Sequence, residues 1–401
     1  MENKSTSQSN RVRAEREVRG WSQSDLAREL IRAAANDERR PTRLPSLESV
    51  KKNIRGWENE KHDVSPFYRR LCALVFDVAE SDLFGGAGYD ALRHSLDDVL
   101  MSGAMSDASL EDWERTVMWY GRAAHLRPAA QLIHDLGADL TDLKHALAAY
   151  RSAMTVRRLT RVAAHMAGLM CLTFIKLDDR QAFRCWARTA RSAAREAGDP
   201  RTQSWVLAQE AYGHFYAHDF LDAVEIAQQA QKVAHTCVGA VLAAALEARA
   251  HAAFGLVKRR ETEAALRKAE DLLAALGSEE INDSAFGYNE AQLLFHRGNA
   301  YTHLGDSAAA WQAQQRALEL YSEHDYLDRS LTRLDRTLCL ARDGDSSGAL
   351  EYATATLMPL TDDQRSGIIT LRGREVLTAI PNQQRALPVV RQLRELLTPD
   401  N

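Results

Sequence analysis

The chain has 401 residues, 45% of them apolar and 26% charged, with 51 Lys and Arg against 55 Asp and Glu. That is enough apolar chain for more than one core, and two or three units are expected. No apolar run approaches the roughly 18 residues of a membrane helix, and MENKSTSQSN lacks a signal-peptide apolar stretch, so a cytoplasmic protein with no membrane partner is expected. The five cysteines, Cys72, Cys171, Cys185, Cys237 and Cys339, are odd in number and scattered through helical patterns, which predicts reduced thiols. Ala, Leu, Arg and Glu dominate, only 9 prolines occur, and no long alternating Val/Ile/Thr run reads as a strand. The expected class is all-α.

Residues 1–10 read as a disordered N-terminus, and 11–84 as the first domain. A first helix places Arg11, Ala14 and Val18 on one side and stops at Gly20, with Trp21 plugging the turn. Ser22 caps a second helix by accepting from the backbone of Ser24 or Asp25, and the helix start beside Gln23 suits a phosphate. Leu26, Ala27, Leu30 and Ile31 form its buried stripe. Val50, Ile54 and Trp57 have the i, i+4, i+7 spacing of a third helix, which shows Lys51, Lys52, Asn53, Arg55 and Gly56 between them.

Ser22-Gln23, Leu26-Ala27, Ile54, Trp57-Glu58-Asn59 and Pro66 together resemble the helix-turn-helix signature of phage repressors and the Cro/C1-type (XRE) regulators. The resemblance implies a DNA-binding role in which Lys51, Lys52 and Arg55 read base edges and Gln23 and Asn59 hold phosphates. Lysine suits guanine O6 and N7, Asn53 suits adenine, and Lys61 completes the expected DNA-binding set. The partner implied is a double-stranded DNA operator. A dimer on two adjacent half-sites would combine the limited specificity of two recognition helices, so a homodimer is also expected.

Leu26 and Ile54 lie 28 positions apart, far more than the family's usual spacing, so the turn has become an insertion. IRAAANDERRPTRLP extends the second helix through Ala35 and then loops, broken by Pro41 and Pro45, until Ser46 caps the third. WSQSDLA before such a turn and GWEN after it resemble an actinobacterial subgroup of these regulators. Arg39, Arg40 and Arg43 on the loop read either as phosphate contacts or as a solvated surface. Residues 11–70 hold 15 basic against 10 acidic residues, while the remainder is acidic. A basic head on an acidic body suits a protein that offers nucleic acid its head alone.

Gly85-Gly86-Ala87-Gly88 reads as a linker, 89–138 as connecting helices (about 89–102, 107–125 and 127–136), and 139–157 as the first helix of a repeat domain spanning 139–398. GNAYTHLGDSAAAWQAQQRALELY carries Gly298, Tyr301, Gly305, Ala310 and Ala317 and resembles the tetratricopeptide pattern. Related copies anchor on the small residue opening the second helix, at Ala182, Ala223, Thr262 and Ala349, with spacings of 41, 39, 48 and 39. All exceed the roughly 34 residues of a tetratricopeptide repeat. Stacked hairpins should bury what none buries alone and form a right-handed α-solenoid with a concave face, capped by helices near 365–380 and 383–397.

The repeat register assigns Trp205, Tyr212, Phe215, Glu247, His251, Phe254, Gln292, Phe295, Asn299 and Thr302 to the concave face. Rings beside amides suit a signalling peptide or another small-molecule effector, while inter-repeat packing is the competing reading. Joined to a repressor-type head, such a solenoid resembles the peptide-sensing regulators of Gram-positive bacteria.

Enzyme chemistry finds no foothold. The chain lacks a G-x4-G-K-[ST] phosphate loop, an H-E-x-x-H motif, a C-x2-C pair and a nucleophile elbow, so no catalytic residues, cofactor or metal site are expected. His214 and His218 have an i, i+4 metal spacing, but His218 falls at an inter-helix turn, and Asp219 and Asp222 read as helix-start residues. The Glu58-to-Asp63 charge run reads as the polar exit of the recognition helix. Two functions remain: a ligand-responsive transcription regulator, and a repeat scaffold for protein partners with a non-regulatory head.

Overall fold

The computed structural model describes residues 8–36, 46–59, 64–78, 83, 107–150, 152–365, 367–385 and 388–398. They are helical throughout, with no strand among the described residues, and fall into two compact units, Met1–Gly103 and Ala104–Asn401. The expected linker at 85–88 and the first connecting helix lie outside the described residues.

The first unit holds α1 (Gln8–Val18), α2 (Gln23–Asn36), α3 (Leu47–Glu58) and α4 (Pro66–Phe76). Its core joins Val12 of α1, Leu26 and Leu30 of α2, Val50, Ile54 and Trp57 of α3, and Leu71 and Phe76 of α4. Helix α1 begins at Gln8, within the stretch expected to be disordered, and turns a different face inward from the one its apolar pattern suggests. Val12 is fully buried, whereas Ala14 is exposed and Val18 is 81% exposed. The reason is the long basic side chains. Arg16 donates to Trp21 O and pairs with Glu58, and the Arg19 guanidinium covers the Phe76 ring at 5.0 Å, so their aliphatic stems cover the core that a Val would otherwise fill. Gly20, at φ +67°, lets the chain reverse into α2, where Ser22 Oγ accepts the Asp25 N–H and Asp25 accepts the Ser22 N–H in return.

The second unit is a run of antiparallel helical hairpins: α5 (Asp107–Leu126) with α6 (Ala129–Ala149), α7 (Ala153–Lys176) with α8 (Arg180–Ala197), α9 (Pro200–Tyr216) with α10 (Phe220–Val233), and α11 (Val238–Ala252) with α12 (Arg259–Ala274). There follow α13 (Glu290–Leu304) with α14 (Ser307–Leu320), α15 (Tyr326–Arg342) with α16 (Ser346–Leu357), and α17 (Gly367–Ala379), after which α18 (Pro388–Leu396) packs on α16. Each odd-numbered helix from α5 to α15 packs on its partner and on the next odd-numbered helix, as expected of a solenoid. The expected break near 137 is absent. Helix α6 runs through Gly137, whose position has open space around it, and ends at Ala149, so the expected domain start at 139 falls inside a helix.

One turn recurs between helices of a hairpin. Asp178, His218, Gly305 and Gly344 adopt left-handed conformations with φ of 57°, 64°, 74° and 92°. The Asp that follows each, Asp179, Asp219, Asp306 or Asp345, returns its N–H to the carbonyl five residues earlier and occupies the N-cap of the next helix. Four residues beyond that Asp the side chain is buried: Phe183, Ala223, Ala310 and Ala349. The first repeat is therefore anchored at Phe183 and not at half-buried Ala182. A phenylalanine fits there because Gly213 faces it; a Cβ at Gly213 would sit 2.0 Å from the Phe183 ring.

The four copies of this turn make a prediction. Gly occupies the left-handed position twice, while exposed His218 bears the conformational cost of a side chain there. His218→Gly is expected to stabilise the body by a few tenths to about 1 kcal/mol. A raised urea midpoint checks this, and an unchanged or lowered one refutes it.

Candidate functional site

In the first unit, α3 buries Val50, Ile54 and Trp57 and turns Glu48, Ser49, Lys52 and Arg55 outward. Lys52 and Arg55 are exposed. Lys51 lies on the flank, half-buried, with Nζ 3.3 Å from Glu48 Oε1, and Asn53 is half-buried and hydrogen-bonded to the Tyr68 hydroxyl. Periodicity predicts these flanks: 100° per residue places 51 and 53 on either side of the buried stripe. Asn59 caps the C-terminus, its Nδ2 donating to Arg55 O at 2.8 Å. Lys61, Arg39, Arg40 and Arg43 lie outside the described residues.

Glu58 is not the solvated end of a charge run. Its side chain is 5% exposed, with Oε1 2.6 Å from Arg16 Nε and Oε2 accepting from Arg16 Nη2 at 3.1 Å. Gln23 Nε2 donates to the same carboxylate at 2.7 Å, so the side chain expected on a phosphate is held beside the start of α2 by α3. Sequence reading misses this pair because Arg16 and Glu58 are 42 positions apart and each sits among other charges. Ser49 and Glu48 are missed as well, although their i, i+3 and i, i+4 relation to Lys52 was a usable signal.

The concave-face residues have other employment. Trp205 is 4% exposed and donates its indole N–H to Ala285 O at 2.7 Å. Gln292 forms a capping box with Asn289. Glu247 accepts from Gln228 and Gln231, each at 2.8 Å, and lies 3.6 Å from His251 Nε2. Asn299, 1% exposed, accepts from Arg249 Nε at 2.7 Å and donates to Asp335 at 2.7 Å. Phe215 lies under the Arg249 guanidinium at 4.2 Å, and Tyr212 stands edge-on to Tyr216. Phe295 and Thr302 are also buried; Phe254 is exposed. The expected open groove is therefore corrected to a filled interior.

Two features fill it. The segment between α12 and α13, the source of the 48-residue spacing, crosses the odd-numbered helices: Ala285 N donates to Gly121 O at 2.9 Å, and Phe286 packs against Trp205 and His165. Helix α17 also returns to α7, where Gly367 lies so close to Lys176 O that no Cβ would fit. A repeat register counts positions within a hairpin and contains neither fact.

Buried Arg249 donates to Asn299, approaches His296 Nδ1 at 3.1 Å and reaches the Tyr216 hydroxyl at 3.3 Å. Asn299 passes the chain to Asp335, which pairs with Arg372 at 3.2 Å, and Arg372 in turn meets Glu375. Burial works against charge on Arg372, but the Asp335 and Glu375 carboxylates hold its pKa above the ordinary value. Two spaces remain. One is a pocket of about 400 Å³ bounded by Glu114, Arg161, His165, Arg201, Trp205 and Phe286; the other is a small interior cavity of about 50 Å³ lined in part by His125, Lys176, Gln209, Tyr288 and Asp328. His214 gathers with Asp219 and Asp222, not with His218, which occupies the turn.

Comparison of the chain with family models, with curated proteins and with solved structures found no match.

Arg249→Met keeps apolar bulk but removes the donors to Asn299, His296 and Tyr216. It is expected to cost roughly 3 kcal/mol or more in urea unfolding, and a loss below about 0.5 kcal/mol would show that the network is dispensable. His165 gives a pH prediction. Burial, with Arg161 nearby, lowers its pKa to about 4, so the folded body keeps a neutral ring whose Nε2 lies 3.3 Å from Thr202 Oγ1. The unfolded chain takes up the proton first, so this contribution is complete above pH ~6.5 and is lost as pH falls from there toward 4. The unfolding midpoint should drop less between pH 7 and 5 in His165→Phe than in the unaltered chain; equal drops would refute the assignment.

Proposed function

We propose that this chain is a sequence-specific DNA-binding transcription regulator, with the first unit as its helix-turn-helix head and the second as its dimerising and sensing body. The observation that carries the reading is the outward face of α3, where Lys52 and Arg55 share one exposed surface with Ser49 opposite an apolar core. Such a helix offers donors suited to major-groove acceptors. Asn59 at its end, and the free N–H groups at the start of α2 beside Gln23, suit backbone phosphates. Dimer contacts belong to the acidic body, since basic heads repel one another.

The pocket beside Arg161 and Arg201 is the best-supported effector site, and its volume of about 400 Å³ suits a small molecule better than an extended peptide. A scaffold reading draws on one feature: Phe254 packs on Phe220 in the open, with Leu221, Leu256 and Val257 exposed alongside in the chain.

Selection of genomic DNA by the purified chain tests the proposal. Lys52→Ala or Arg55→Ala should cost roughly 1–3 kcal/mol on the selected sequence and much less on random DNA. Equal losses on both would remove the base-reading assignment, and failure to enrich any sequence would favour the scaffold.

A further inference from the structure

Beside the small interior cavity of the body, which His125 and Asp328 line, donors from distant hairpins come together. His125, in the last turn of α5, and Asp325 and Asp328, at the start of α15, each offer one ligand atom, and these atoms lie within 4.8 Å of one another. Both carboxylates are 7% exposed. Among the described residues neither forms an ion pair with a basic side chain: Asp325 Oδ1 accepts the Asp328 N–H at 3.0 Å, and Asp328 Oδ2 accepts the Tyr321 hydroxyl at 3.2 Å. The cation lining the cavity, Lys176, directs its ammonium to Ala124 O. Two buried carboxylates thus share the nearby Lys176 ammonium, with Arg249 acting on Asp328 as well. Burial raises the pKa of both, a strain that a proton relieves in the empty site and that a bound divalent cation relieves by displacing the proton.

Unpartnered atoms point the same way. Among the described residues His125 Nε2, Gln209 Oε1 and the Tyr288 hydroxyl find no hydrogen-bond partner, and Gln209 and Tyr288 are 3% and 1% exposed. All three residues line the cavity together with Asp328. Buried polar atoms are nearly always satisfied, so such a group calls for a ligand with matching chemistry. A water would meet the hydrogen bonds but not the charge. A divalent cation meets the charge, and an imidazole among the donors selects zinc-like ions over calcium or magnesium.

We propose that His125, Asp325 and Asp328 bind a divalent transition-metal ion through mixed nitrogen and oxygen coordination, with Tyr288 and Gln209 beside it. Metal–donor bonds of about 2.1 Å place ligands roughly 3–4 Å apart, so the three side chains need close by no more than about an ångström or two. The ion staples the first hairpin to the sixth, across 200 residues of chain. Because the donors converge only when the solenoid is wound, the ion binds the folded body and stabilises it by mass action. The site stands independently of any role in nucleic-acid binding.

The test uses the full chain stripped with a chelator and titrated with Zn²⁺ by calorimetry and with Co²⁺ by visible absorption. Expected are one saturable Zn²⁺ per chain, a raised melting midpoint and a Co²⁺ band. His125→Gln and Asp325→Asn should each weaken Zn²⁺ binding tenfold or more and abolish the band, while their metal-free melting stays near that of the unaltered chain. Asparagine preserves the N-cap of α15, so Asp325→Asn decides the matter if His125→Gln does not fold. Asp222→Asn, in the His214 cluster, should change neither readout. Absence of saturable binding in the unaltered chain, binding that survives in Asp325→Asn, or its loss in Asp222→Asn would each overturn the proposal.

Discussion

A fully buried guanidinium organises the second unit. Arg249 of α11 cannot be desolvated without partners, and its partners come from different helices: Tyr216 on α9, His296 and Asn299 on α13, and through Asn299 the Asp335 of α15. Arg372 and Glu375 of α17 complete the chain, so two cations and two anions balance inside the wound array. Four rings, Tyr212, Phe215, Tyr216 and Phe295, lie 4.2–5.6 Å from the Arg249 carbon. Each supplies part of the attraction that hydration would otherwise provide. An apolar interior would tolerate sliding of one hairpin on the next; a chain of paired buried charges is satisfied at one register only.

That network explains why the interior is closed. A solenoid of small residues, with Ala223, Ala310 and Ala349 at the hairpin seams, brings helices close and winds tightly. Once α17 meets α7, the odd-numbered helices surround an axis too narrow for an extended ligand, and the segment at 281–289 occupies what remains. Space for a guest is left in a mixed polar pocket beside that segment and in the small cavity near Lys176. Any sensing by this body therefore acts through a compact ligand and through differences in affinity between body conformations.

The first unit works by a similar division. One buried pair, Arg16 with Glu58, joins the first helix to the end of the third and also holds Gln23. The outward face of α3 is then free to carry groups with no structural duty, and Lys52 and Arg55 are exposed cations there. Charge in this unit thus serves two ends: pinned where it is buried, free where it is exposed.

Much of this was legible in the chain itself. Helical periodicity, the caps at Ser22 and Ser46, the stop at Gly20 and the buried stripe Val50–Ile54–Trp57 are local, because hydrogen bonds and side-chain faces within one helix depend on residues a few positions apart. The repeat was partly legible for the same reason: small residues open the second helices at Ala223, Ala310 and Ala349, whereas the first copy is anchored at Phe183, one residue beyond Ala182. What the sequence could not decide is where long side chains end. Arg16 meets Glu58 across 42 positions, Arg249 meets Asn299 across 50, and His125 nears Asp325 across 200. Periodicity assigned Trp205 and Asn299 to one face of their helices, but whether that face is open depends on how tightly the hairpins wind and on what the 48-residue spacing inserts. Those are sums of many packing contacts between distant helices, and only the tertiary structure settles them.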